Sequence, residues 1–161
     1  AKGRLEIGAY KAALSEKVAI VSIMSANNET GTLFPVEELA LMAKEVGALF
    51  HTDAVQAVGK LPLNLADSAI DMLSLSGHKL HAPKGVGALY LKRGTRFRPL
   101  LRGGHQERGR RAGTENVTGI VGLGTACELS LQLMADESSR LAILRDRLEK
   151  GIISKPGFFF S

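Results

Sequence analysis

Short apolar, β-branched runs alternate with helix-patterned segments along the first ninety residues, and this alternation constrains the possible folds more than any other feature. Lys17 to Met24 reads as a strand. Pro35 then occupies a position tolerated at the start of a helix, and Val36, Leu39, Ala40, Ala43 and Val46 share one helical face before Gly47 ends it. Ala48 to Asp53 is the next strand, residues 54–70 are long enough for a crossover with a brief helix, Asp71 to Leu75 is a third strand and Val86 to Leu91 a fourth. Two more helices are predicted, from Asn116 to about Ala135 and from Ser138 to Lys150. Right-handed crossovers make the first three strands parallel, so the fold class is α/β, a mostly parallel sheet with flanking helices.

Parallel strands point their carboxyl ends to one edge of the sheet, the edge at which open α/β sheets bind ligands. Polar residues collect there: Asn27-Asn28-Glu29-Thr30-Gly31 after the first strand, Asp53-Ala54-Val55-Gln56 after the second and Ser76-Gly77-His78-Lys79 after the third. These segments offer a lysine able to form a Schiff base, a carboxylate able to pair with a ring nitrogen, and short donors suited to a phosphate, which is the equipment of a pyridoxal phosphate enzyme.

At 161 residues and 45% apolar the chain holds one domain's worth of core. Its longest apolar runs, such as Val18 to Met24, are too short for a bilayer, no charged-then-apolar leader opens it, and the expected location is the cytoplasm. The single cysteine, Cys127, can form neither an internal disulfide nor a zinc site alone. Val121, Leu123, Ala126 and Leu129 surround it in a helical pattern, which marks it as structural. No metal site is expected, since His51, His81 and His105 lie on separate segments without partners at ligand spacing. Residues 92–111 concentrate eight lysines and arginines against Glu107, while the whole chain is only +5, so the remainder is net acidic. Only Phe97 could stack on a base there, and the stretch reads as a solvated or subunit-facing loop rather than a nucleic-acid site.

Both ends read as cut. The amphipathic stretch Leu5 to Leu14 has no preceding segment to pack on, and the turn signal at Lys155-Pro156-Gly157 leads into an apolar run that stops as a strand would begin. The motifs, in order, resemble the cysteine desulfurases of the nitrogen-fixation and iron–sulfur-cluster assembly type, in the class V aminotransferases: Asn27 to Gly31, His51 to Gln56, Ser74 to Lys79, Ala82-Pro83-Lys84-Gly85, and Arg108 to Asn116. The resemblance runs from about Lys17 to Gly151. It implies an incomplete large domain of the aspartate aminotransferase-like, fold type I pyridoxal phosphate enzymes over residues 1–135, with the start of a truncated small domain over 136–161.

Carried over position by position, the resemblance makes Lys79 the Schiff-base lysine and the base for the substrate's α-proton. It puts Asp53 on the pyridine nitrogen, Asn28 and Gln56 on the ring's phenolic oxygen, and Ser76 and His78 on the phosphate. Thr114 would reach that phosphate from a second subunit, which implies a homodimer. The implied substrate is L-cysteine, converted to L-alanine, with sulfur leaving as a persulfide for an iron–sulfur scaffold or another acceptor protein. The family's first phosphate loop and ring-stacking histidine would precede this segment; its sulfur-accepting cysteine and carboxylate-binding arginine would follow Ser161. Alternatives are a selenocysteine lyase or another class V relative, and a non-catalytic assembly or RNA-binding module. For Asp53 and the two amides, helix-capping and turn roles compete with the cofactor roles.

Overall fold

The computed structural model describes residues 3–154. A short helix α1 (Ile7–Ala13) leads into β1 (Ile20–Met24), α2 (Val36–Glu45), β2 (Leu49–Asp53), β3 (Met72–Ser76), a 3-10 turn (Gly77–Leu80), β4 (Gly87–Leu91), a single turn α3 (Gln106–Gly109) and a long helix α4 (Val117–Ile153). The four strands form one sheet in the order β1-β2-β3-β4, with β1, β2 and β3 parallel and β4 antiparallel to β3. The parallel pairs follow from their long connections. The link from β3 to β4 is too short for a helical crossover, so β4 returns antiparallel.

α2 ends where the sequence requires. Gly47 takes the left-handed conformation (φ +77°), while its N–H and that of Ala48 satisfy the last carbonyls, donating to Lys44 and Ala43. The helix buries Val36, Leu39, Ala40 and Ala43 against Phe50, Ala54, Ile70 and Leu73. This is the main core, and it lies on one face of the sheet. Strand alternation then sends His51 and Asp53 to the opposite face from Phe50 and Thr52. Buried polar groups are paired: Ser25 with Thr52 at 2.7 Å, and the Ser68 hydroxyl with the Glu37 carboxylate at 2.8 and 2.9 Å.

Three sequence expectations change. Residues 54–61 form no regular helix; Ala57 and Val58 donate to Ala54 O, and Lys60 and Leu61 to Ala57 O, giving two successive turns with the left-handed Gly59 (φ +73°) inside the second. The two expected C-terminal helices are one helix of 37 residues, about 55 Å long. No glycine or proline interrupts Ala135 to Ser139, the Ser139 hydroxyl is satisfied by Ala135 O, and Arg140 pairs with Glu137 one turn back. α1 also has a seat: Leu5, Ile7 and Tyr10 pack on the main core, with the Tyr10 hydroxyl donating to Leu39 O at 2.8 Å. The strand expected after Gly157 lies outside the described residues.

Among the described residues, α4 is the one helix long and apolar enough to cross a membrane by length and composition. Its first half instead packs on the 3-10 turn, where Leu123 and Ala126 bury Leu80 in a second small core that also holds Cys127. Cys127 is half-buried beside this core; of the apolar neighbours that the sequence groups around it, Leu123 and Ala126 are buried, whereas Val121 and Leu129 are exposed.

Candidate active site

The carboxyl ends of β2 and β3 lie side by side because Asp53 pairs in register with Ser74, two residues before Ser76. Asp53 is half-buried; its Oδ1 accepts from Val55 N at 2.9 Å, while Oδ2 has no hydrogen-bond partner among the described residues. The carboxylate thus caps the turn after β2 through one oxygen only, so the turn role that competed with a cofactor role in the sequence leaves its second oxygen available. Gln56, just beyond this turn, has Lys60 Nζ near its side-chain carbonyl at 3.5 Å.

After β3 the backbone tightens into the 3-10 turn that carries His78 and Lys79. Gly77 permits it, since a Cβ there would press on Val86 and its carbonyl, and Gly77 N donates to Val86 O at 2.9 Å. His81 closes the turn in the left-handed conformation (φ 63°). Ser76 Oγ and His78 Nδ1 lie 2.7 Å apart, a hydroxyl and an imidazole presented together to any anion at this edge. Lys79 is half-buried between them and Leu80, whose side chain is held in the second core.

Asn27 and Asn28 divide their labour. Asn27 Oδ1 accepts from Glu29 N, Thr30 N and Thr30 Oγ1 and so builds the turn after β1, leaving the exposed Asn28 amide without a side-chain partner among the described residues. Thr114 is separate from this group: it is exposed on the segment leading to Asn116, the residue whose side chain caps α4 by accepting from Gly119 N. The arginines of residues 92–111 are solvent-facing, and the only ion pairs among the described residues, Arg140–Glu137 and Arg145–Asp146, lie on α4.

Two residues escaped the sequence reading. Lys60 sits close enough to Lys79 for charge to be felt: burial first, and then the positive charge of Lys79, hold its amine below the ordinary lysine range. His51 sits on the sheet face that Asp53 shares, with Nδ1 2.7 Å from Ser22 Oγ and Nε2 3.2 Å from Ser74 Oγ. Burial pushes its imidazole below the usual histidine range, and the Asp53 carboxylate opposes this. Proximity of Lys60 to Lys79 has no signal in sequence, and the bridge made by His51 needs the strand register to be known.

An α/β sheet with a lysine on the turn after one strand and a carboxylate at the end of its neighbour defines the large-domain class of fold type I pyridoxal phosphate enzymes. Comparison with known proteins agrees: the aminotransferase class-V profile matches residues 1–160, and the chain belongs to that family. It is 69% identical over 157 residues to a cysteine desulfurase of Gluconacetobacter diazotrophicus, covering 98% of this chain and 39% of that protein. It is 65% identical over 153 residues to the cysteine desulfurase NifS of Azotobacter vinelandii, covering 95% of this chain and 38% of that one. A solved NifS-like protein superposes with a TM-score of 0.91 at 41% identity, over 94% of this chain and 42% of the other. The chain therefore spans about two-fifths of the length of these relatives.

Proposed function

We propose that the chain is the cofactor-binding part of a pyridoxal-phosphate-dependent cysteine desulfurase, a cytoplasmic homodimer that takes L-cysteine to L-alanine and passes the sulfur, as a persulfide, to an iron–sulfur scaffold or another acceptor protein. The observation that carries this reading is the placement of Lys79 next to His78 of the Ser76–His78 pair, on the turn after the strand that adjoins the one ending in Asp53. The names of the relatives support the reaction.

The donor set fits the cofactor. A hydroxyl and an imidazole suit the phosphate, the free Asp53 oxygen suits a protonated ring nitrogen, and the unpartnered Asn28 amide and the Gln56 amide suit the phenolic oxygen. Pyridoxal phosphate supplies an electron sink when bound. Asp53 keeps the ring nitrogen protonated, because a carboxylate stabilises an adjacent cation. Lys79 would hold the cofactor and would accept the proton from the substrate's α-carbon. Cys127, packed beneath the turn against Leu80, takes no part in sulfur transfer; the thiol that does belongs to the part of the protein outside this chain.

Sulfide and alanine released in equal amounts from L-cysteine by the full-length protein, with pyridoxal phosphate and a thiol reductant present, is the expected result. Turnover of selenocysteine alone would assign the protein to a selenocysteine lyase instead.

A further inference from the structure

The three strands that carry the site residues are strapped together by one side chain. His51 lies on the central strand β2, and its ring reaches Ser22 on β1 through Nδ1 (2.7 Å) and Ser74 on β3 through Nε2 (3.2 Å). The register makes the arrangement specific: Ser22 is the in-register partner of His51, and Ser74 is the partner of Asp53. Side chains alternate between faces, so His51 and Asp53 share a face, as do Ser74 and Ser76. The strap therefore crosses the sheet two residues before Asp53 and two before Ser76, on the face they occupy.

We propose that His51 is a positioning residue for the cofactor site: its imidazole, bonded to Ser22 and Ser74, fixes the lateral spacing of β1, β2 and β3 and thereby the separation of the Asp53 carboxylate from the Ser76–His78 phosphate donors. A neutral imidazole has one donor and one acceptor nitrogen, and a serine hydroxyl can complement either, so the chain of bonds closes in both tautomers. The geometry also explains why histidine suits this position: an apolar residue would leave both hydroxyls without the ring, and a lysine would place a cation where it competes with the cofactor for Asp53. Neutral His51, satisfied at both nitrogens, leaves the charge of Asp53 for the ring nitrogen. No atom of His51 needs to touch substrate or cofactor for this role.

This inference rests on the cofactor reading, and its test separates the two. In the full-length protein, His51→Phe keeps a ring but breaks both bonds, Ser22→Ala breaks one bond with the smallest disturbance, and His51→Gln restores a donor and an acceptor. Apo protein is titrated with pyridoxal phosphate, following affinity and the absorbance maximum of the bound cofactor, alongside the unfolding midpoint of the apo form. His51→Phe is expected to weaken cofactor affinity by about tenfold, the effect of removing a hydrogen bond that holds the site in shape, and to move the absorbance maximum. Ser22→Ala should do so to a smaller extent and His51→Gln should recover part of the affinity. A lowered unfolding midpoint with unchanged affinity and absorbance in both His51→Phe and Ser22→Ala would make the strap merely structural and overturn the proposal. If His51→Phe does not fold, Ser22→Ala decides alone. A wild-type protein that takes up no pyridoxal phosphate would overturn the cofactor reading, and the positioning role with it.

Discussion

Substituting Gly59 by alanine should cost more than the same change at Gly47, and only the first should loosen the cofactor. Both glycines are left-handed, with φ of +73° and +77°, so each alanine pays about 1–2 kcal/mol for a conformation that L-residues avoid. The gain from a stiffer unfolded chain is common to both and cancels in the comparison. Space is what differs. Nothing lies within 4 Å of a Cβ at Gly47, whereas at Gly59 it would run into the Leu80 side chain and stand 3.0 Å from Ser130 Cβ. Leu80 cannot swing away freely, being buried against Leu123 and Ala126, so overpacking adds about 1–3 kcal/mol. Leu80 follows Lys79 in the 3-10 turn, and relief of the clash displaces the turn that carries the site lysine. Urea denaturation of the full-length variants measures the two costs, and titration with pyridoxal phosphate measures the functional effect. Equal destabilisation by the two alanines, or a Gly59→Ala variant with undiminished cofactor affinity, would refute the packing of residue 59 against the lysine turn.

Because burial lowers the folded-state pKa of His51 below its unfolded value near 6.5, the unfolded chain binds the extra proton and stability rises with pH through that window. Denaturation followed as pH falls from about 7.5 to 5.5 should show stability being lost, less steeply in His51→Gln; a slope unchanged by the substitution would show that other groups set it. Cys127→Ser should leave cysteine turnover by the full-length protein unchanged, measured as sulfide release, since this thiol is packed against Leu80 and Leu123; loss of activity without loss of fold would give it a catalytic role. The exposed arginines of residues 92–111 should bind single-stranded nucleic acid weakly and lose it steeply between low and physiological salt in a fluorescence anisotropy titration, and tight, salt-resistant binding would favour an RNA-binding module.

The strand ends and their polar residues were legible in the sequence because short apolar, β-branched runs locate strands, and the edge of a parallel sheet follows from the connections. Asp53 at the end of β2 and Lys79 on the turn after β3 are where that reading places them. Helix boundaries were less legible. The break expected between Ala135 and Ser138 is absent, because without a glycine or proline there α4 continues, the Ser139 hydroxyl returned to the helix's own carbonyl at Ala135. Residues 54–70 show the converse: Ala54 to Val58 begin as a helix would, and the left-handed Gly59 breaks the regular helix into separate turns. The competition between capping and cofactor binding at Asp53 could not be weighed from residue type, because it depends on how many of the two oxygens the turn uses, and the turn uses one. His51 and Lys60 were invisible for a similar reason. Their roles come from pairing register and from the approach of Gly59 to Leu80, neither of which local patterning encodes.

The central claim is that Lys79 carries the cofactor. Borohydride reduction of the full-length protein loaded with pyridoxal phosphate, followed by proteolysis and mass mapping, tests it directly. The account predicts one phosphopyridoxyl group per chain, on the peptide containing Lys79, and none after Lys79→Ala. Label on Lys84 or Lys60, or label that persists in the Lys79→Ala variant, would contradict it.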